Sequence, residues 1–321
     1  MTLMIELSRL TKRFGSITAV DEVSMTVQAG EVVGFLGPNG AGKSTTMKMV
    51  AGFLEPTSGS AAVCGYDVAR DPVAVKERLG YLPEGAPTYG DMTPKSYLAF
   101  IAAIRGFDGA ERRQRVEAVV DKVSLQEVLH QPIETLSKGF KRRVGLAQTM
   151  LHDPPVLIMD EPTDGLDPNQ KRHVRSLIRE MAKDKAIVIS THILEEVEAV
   201  CTRAVVIARG KIRADAAPEA LRANAANHNA VLVVARSDVA KKIDGALRNN
   251  SEIAGVERDA TSDERVLLRI LAKPGKRIAP QVNDLIRAKD LQVDEVFVER
   301  GSLDDVFWDM TADSREQPAD A

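Results

Sequence analysis

EVVGFLGPNGAGKST, residues 31–45, is an apolar run that stops at a glycine-rich turn and restarts as a helix. Val32 to Leu36 read as a buried strand, and residues 37–45 match the pattern G-x-x-x-x-G-K-[ST] through Gly37, Gly42, Lys43 and Ser44. A phosphate needs several backbone N–H groups aimed at one point, and glycines let a chain wrap that closely. Gly37, Pro38, Asn39, Gly40, Ala41 and Gly42 are therefore expected to cradle phosphates, with Thr45 at the end of the run. Lys43 adds a full positive charge, and the helix opening at Lys43 and Ser44 adds its positive dipole end. The Ser44 hydroxyl is placed to ligate Mg²⁺. A glycine-rich turn alone carries little, but strand before and helix after are the context this motif requires.

A second apolar run, VLIMDEP at 156–162, ends in two acids. Acids at the carboxyl end of a buried strand lie where α/β sheets bind ligands. Asp160 suits the Mg²⁺ shell, because that ion takes one or two carboxylates together with waters and phosphates. Glu161 is displaced toward an attacking water and suits a general base.

Outward from these runs, residues 4–36 read as short strands and 44–51 as a helix stopped by Gly52. A strand-like run at 60–65 precedes a second at 76–82. From about 91 to 153 only helical patterns occur, with Thr93–Pro94 as a start signal and stripes through Leu98, Val116, Val120, Val144 and Ala147. Strand and helix then alternate from 156 to 208, giving an α/β core of mostly parallel sheet with a helical insertion. Residues 216–229 read as helix and linker. The order over 230–311 is β-α-β-β-α-β, a small ferredoxin-like α+β domain. The expected division is therefore 1–215, linker 216–229, domain 230–311, and a frayed charged tail at 312–321.

With 44% hydrophobic and 28% charged residues, the chain can bury a core and keep a polar surface. A formal charge of −3 gives no reason to expect nucleic acid as a partner. The one basic cluster, Lys141, Arg142 and Arg143, reads as a solvated helix face. Cys64 and Cys201 have no metal-ligand spacing and read as small core residues. Met1 to Leu10 lacks a signal-peptide layout, and no apolar run approaches the roughly 18 residues of a membrane span. The expectation is a chain that is cytoplasmic by itself.

The ordered set of phosphate loop, LSKGF at 136–140, MDEP at 159–162, GLDP at 165–168 and STH at 190–192 resembles the ATP-binding-cassette (ABC) ATPases. The likeness covers residues 1 to about 215. It implies that ATP with Mg²⁺ is the ligand, and that Ser137 and Gly139 form the signature that closes over the γ-phosphate held by a second copy. It implies further that Asp167 links the two sites of the homodimer, that His192 is the switch histidine beside Glu161, and that Phe14 stacks on adenine. Lys138 and Phe140 depart from the usual LSGGQ, placing an extra positive charge beside a phosphate. Glu84 stands where the family usually has Gln at the Mg²⁺, and a carboxylate ligates that ion at least as well.

A single motif set disfavours fused-cassette translation factors, and the interval from Lys43 to Asp160 is too short for the coiled coil of DNA-repair relatives. The segments around YLPEGAPTYGDMT and SLDDVFWDMT resemble ATPase subunits of two-component exporters, above all those of the gliding-motility type. That likeness implies integral membrane permease subunits as partners and a place at the inner face of the cell membrane. A soluble ATP switch without transport is the alternative.

Overall fold

In the computed structural model, the structure describes residues 3–85, 88–225, 227–248, 250–260 and 265–311. The chain separates into two compact units that meet between Ala216 and Ala217. The tail expected over 312–321 lies outside the described residues.

In the first unit, β1 (Leu3–Phe14) and β2 (Ile17–Gln28) pair as a hairpin, and β3 (Val32–Leu36) follows, buried at every position. The helix α1 (Lys43–Val50) begins directly after the glycine-rich turn. β4 (Ser58–Val63) and β5 (Tyr66–Asp67) complete an antiparallel sheet of order β2-β1-β4-β5. Then come α2 (Pro72–Arg78) and β6 (Leu79–Leu82). The sequence pattern placed strand over 76–82; Lys76 to Arg78 are instead the last turn of a helix that Asp71–Pro72 starts, a proline being favourable in a first turn.

Three helices form the insertion: α3 (Pro94–Ile104), α4 (Gly109–Lys122) and α5 (Lys138–Met150). Thr93 caps α3 by accepting from Ser96 N–H, as its sequence signals. Alternation resumes with β7 (Val156–Asp160), α6 (Pro168–Met181), β8 (Ala186–Thr191), α7 (Leu194–Val200) and β9 (Arg203–Ala208). β10 (Lys211–Ala216) returns antiparallel along β9. It was not expected from the pattern, although Arg209–Gly210, both at positive φ, make a tight turn and 211–216 alternate in exposure.

The resulting six-stranded sheet has the order β10-β9-β3-β8-β7-β6, parallel except for β10. Side chains alternate across it with period two. Val33, Phe35, Val156, Ile158 and Val188 pack toward the antiparallel sheet and α1. Leu157, Met159, Ile187 and Ile189 pack toward the other face, among the insertion helices and α6. Burial on both sides explains why these strands read as continuous apolar runs.

In the second unit, β11 (Val231–Arg236), α9 (Ser237–Leu247), β12 (Ile253–Ala260), β13 (Arg265–Ala272), α10 (Ala279–Ala288) and β14 (Glu295–Val298) form an antiparallel sheet of order β12-β13-β11-β14. This order is the ferredoxin-like arrangement. Its core is Val231, Val233, Ile243, Leu268, Ile270 and Val282. α8 (Pro218–Arg222) precedes it within 216–229, and α11 (Leu303–Thr311) follows.

Candidate active site

Because β3, β8, β7 and β6 are parallel neighbours, their carboxyl ends lie along one edge of the sheet. Leu36 pairs with Thr191, Asp160 with Ser190, and Leu82 with Met159. The residues that follow those ends therefore converge: the glycine-rich turn, His192, Asp160–Glu161 and Glu84. Ligands bind at this edge in open α/β sheets. One cleft is lined by Asn39, Gly40, Gly42, Lys43, Ser44, Thr45, Glu84, Asp160 and Glu161.

The turn is closed by backbone that leaves no room for side chains. Gly42 has φ +107, and a Cβ there would lie 2.5 Å from the Ala19 carbonyl oxygen. A Cβ on Gly37 would overlap the Ile207 carbonyl oxygen. Lys43 is buried, and its ammonium donates to the carbonyls of Gly37 at 2.6 Å and Pro38 at 3.0 Å. Burial lowers its pKa, while the charges of Glu161, Asp160 and Glu84 oppose that shift. A cation held this way is drawn toward negative charge entering the cleft.

Asp160 is 3% exposed, and Ser190 Oγ donates to its Oδ1. Its other carboxylate oxygen, Oδ2, is buried without a partner. An ionised carboxylate oxygen left unpaired indoors is costly, and a hydrated cation offsets that cost. Among the described residues, no group of three or more His, Cys, Asp or Glu side chains could hold a metal by itself. The donor set of Ser44 and Asp160, with exposed Glu84 at the rim, fits an ion that takes few protein ligands and completes its shell with water and phosphate oxygens. Mg²⁺ is such an ion.

Glu161 has φ +49, a left-handed conformation that costs a non-glycine residue on the order of 1–3 kcal/mol. Two hydrogen bonds impose it: Glu161 N–H donates to Ser190 O at 2.9 Å, and Arg142 donates to Glu161 O at 2.6 Å. The strained turn carries the carboxylate off the strand axis, where Oε1 lies 2.7 Å from Nδ1 of exposed His192.

Arg142 and Arg143 overturn the expectation of a solvated basic face: they are 5% and 7% exposed. Arg142 donates to the carbonyls of Pro83, Asp160 and Glu161, joining α5 to the ends of β6 and β7. Arg143 donates to Val123 and Ser124 carbonyls and lies over the Phe140 ring. Lys141, half-buried, donates to Glu134 O. The carbonyls they meet stand at the ends of strands, helices and turns brought close by the fold, and charge pattern along a helix cannot reveal them.

Ser137 caps α5 by accepting from Phe140 N–H, and Asp167 caps α6 by accepting from Gln170 N–H. A Cβ on Gly139 would lie 2.8 Å from Gln170 Oε1, so the glycine permits close contact between those helix starts. Ser137, Gly139, Asp167 and Phe14 do not line the cleft, and neither do Gly37, Pro38 or Ala41; His192 reaches it through Glu161. Lys138, the departure in the LSKGF stretch, pairs its exposed ammonium with Asp164 at 2.9 Å and lowers that carboxyl's pKa. Phe14 is 49% exposed, with the Lys12 ammonium 5.3 Å from its ring centre, and is no core residue. Cys64 and Cys201 are only partly buried; Cys201 lies against Gly34, and burial pushes its pKa to about 12.

A family profile, ABC transporter, matches residues 20–164. An uncharacterised ABC transporter ATP-binding protein of Bacillus subtilis, YhcH, is 31% identical over 320 residues, 99% of both chains. The probable multidrug ABC transporter ATP-binding protein YbhF of Escherichia coli is 37% identical over 228 residues, 70% of this chain and 39% of that relative's length. A solved ATP-binding subunit of an ABC transporter superposes with TM-score 0.64 at 31% identity, over 68% of this chain and 92% of that one. With its glycine-rich turn, its paired strand-end acids and His192 following neighbouring strands of one sheet edge, the chain belongs to the ABC transporter family.

Proposed function

We propose that this chain hydrolyses ATP as one half of a homodimer and drives export through separate integral membrane permease subunits. The observation that carries the reading is the cleft in which the phosphate turn, the unpaired Asp160 oxygen and the Glu161–His192 pair meet.

ATP's phosphates replace the Gly37 and Pro38 carbonyls as partners of Lys43, and the α1 N-terminus faces them. Ser44, Asp160 and Glu84 would hold Mg²⁺, which would neutralise charge on the phosphate oxygens. Glu161 accepts a proton as water attacks the γ-phosphorus, and the bond to the β–γ bridging oxygen breaks to release ADP and phosphate. His192 orients Glu161 and the water. Phe14, exposed and next to Lys12, offers a ring to the adenine. Ser137, Gly139 and Asp167 lie outside the cleft and serve the site of the second copy.

An open apolar groove lined by Phe53, Tyr81, Ile101 and Ile104 supports the permease reading, since Phe53 and Ile104 are 70% and 65% exposed. No helix among the described residues is long and apolar enough to cross a membrane. The chain then sits peripherally on the inner membrane face, with 1–215 as the ATPase domain, 216–229 as linker and 230–311 as an accessory domain. The purified chain should release phosphate from Mg²⁺-ATP, Lys43→Ala should not, and a membrane pull-down should recover an integral membrane protein. Phosphate release unchanged in Lys43→Ala would remove the reading.

A further inference from the structure

Behind the Glu161–His192 pair lies a buried carboxylate that the proposed chemistry does not use. Glu196, on α7, is 2% exposed. Its Oε1 accepts from the Thr163 hydroxyl, and its Oε2 accepts from the Thr191 hydroxyl at 3.2 Å. Thr163 and Thr191 are themselves 2% and 1% exposed. Thr191 Oγ1 also accepts from Ile193 N–H at 3.0 Å. Its single proton is therefore free to donate to Glu196, and both threonines act as donors. Each carboxylate oxygen thereby receives a hydroxyl donor, so neither is left without a partner in the interior.

Thr191 precedes His192, and Thr163 stands two residues after Glu161. The hydrogen bonds close a ring: Glu161 to His192, along the chain to Thr191, through Glu196 to Thr163, and back along the chain to Glu161. The loop after β7 and the loop after β8 are thereby tied to one anchor behind the reacting groups. Glu161 is strained and His192 exposed, so the distance between them depends on the residues that anchor their neighbours. We propose that Glu196 is a positioning residue for hydrolysis, which fixes Glu161 relative to His192 through Thr163 and Thr191. This rests on the reading of Glu161 and His192 as the hydrolytic pair.

A misplacement of about 1 Å in a reacting group costs on the order of 100-fold in rate. Glu196→Ala should lower kcat about 10- to 100-fold with the KM for ATP held within about twofold. Thr163→Val and Thr191→Val, which keep side-chain volume, should each lower kcat in the same sense, and Glu196→Gln should recover part of the loss. These near-isosteric variants keep the test decisive if Glu196→Ala does not fold. The discriminating measurement is the Glu161→Gln background. There Glu196→Ala should change the residual rate by less than about twofold, because the group it positions is gone. An equal loss in both backgrounds would show a general structural role and overturn the proposal. So would unchanged kcat in Glu196→Ala and both threonine variants while Glu161→Gln abolishes turnover. Full turnover in Glu161→Gln would instead overturn the hydrolytic reading beneath it, and this inference with it.

Discussion

The guanidinium of Arg142 donates to the backbone carbonyl of Glu161 at 2.6 Å, from a helix that Ser137 caps and that belongs to the insertion. The same group reaches Pro83 and Asp160, so one side chain holds the backbone beside Glu84, Asp160 and Glu161. Burial lowers its pKa, and the charges of Asp160, Asp164, Glu161 and Glu84 oppose that. Arg142 thus serves as a donor to the strand ends and as a counter-charge to the acids around the cleft.

Replacing Arg142 by Met keeps apolar volume but strands three carbonyls and leaves the acids uncompensated. Hydrogen bonds to charged groups contribute about 1.5–3 kcal/mol, and an uncompensated buried site costs more. Arg142→Met should therefore destabilise the chain by about 2–4 kcal/mol, read from urea unfolding. Arg142→Lys should recover only part, because an ammonium cannot span three carbonyls. A midpoint within error of wild type would place the guanidinium on the surface.

Glu161→Gln keeps the shape at the strained turn and removes the proton acceptor. A positioned base contributes about 10²–10⁴-fold, so turnover should fall by that order while ATP still binds. ATP held but not cleaved should also trap the dimer: light scattering should show one copy without nucleotide and two with Mg²⁺-ATP. If Ser137 meets the second copy, Ser137→Arg in the same background should block the mass change by adding bulk at that exposed position. An ATP-independent mass would argue for a permanent monomer or a permanent dimer.

The parts of this site that could be read from sequence are those whose chemistry needs a fixed local spacing. The turn from Gly37 to Lys43 works only with glycines where backbone crowds Ala19 and Ile207. Asp160 and Glu161 become legible because they end an apolar strand in a chain that already carries the glycine-rich phosphate pattern. The family likeness carried by five ordered motifs holds in the comparisons, as does the α/β core. What stayed hidden are relationships across the fold. Arg142 looks like a surface cation until β6 and β7 bring carbonyls to it, and nothing local announces the pairing of Lys138 with Asp164. Ser190 lies within a motif, but its bond to Asp160 depends on parallel register between β7 and β8. Glu196 is one of several acids on a short helix, and nothing local marks it as the buried one.

His152 makes the stability of the fold depend on pH. Its Nε2 lies 3.2 Å from the Leu79 carbonyl, which can only accept, so Nε2 carries the proton; Nδ1 is buried without a partner. Burial, and then the charge of Arg105, push its pKa down to about 4. The unfolded chain takes up a proton near pH 6.5 that the folded chain refuses until about 4. The contribution is complete above the unfolded value and is lost as pH falls toward the folded one. As His152 is partly buried, the loss between pH 7 and 5 should be about 1–2 kcal/mol. His152→Gln, which retains a donor for Leu79, should show a shallower decline in urea stability over that range. Identical slopes would mean that His152 is protonated in the fold.

Glu84 offers the sharpest test of the cleft's electrostatics. It is exposed at the rim, its charge is felt by Lys43, and with burial and Asp160 it helps push the Tyr81 hydroxyl to about 12. With Asp160 and Glu161 it makes three carboxylates facing one lysine, before any phosphate enters. Like charges gathered at one site disfavour further negative charge unless a cation compensates. ATP affinity should therefore depend more strongly on Mg²⁺ here than in Glu84→Gln. The ratio of ATP affinities with Mg²⁺ and with EDTA should fall about three- to tenfold in the variant, equivalent to roughly 1 kcal/mol of charge repulsion removed. Most of that change should come from tighter binding in EDTA. The complementary measurement is Mg²⁺ titration of turnover with and without the membrane partner. If Glu84 serves coupling alone, the isolated variant will match wild type in both nucleotide assays and lose only the partner's stimulation. An unchanged affinity ratio and unchanged stimulation together would leave Glu84 as a solvated loop acid with no part in the site.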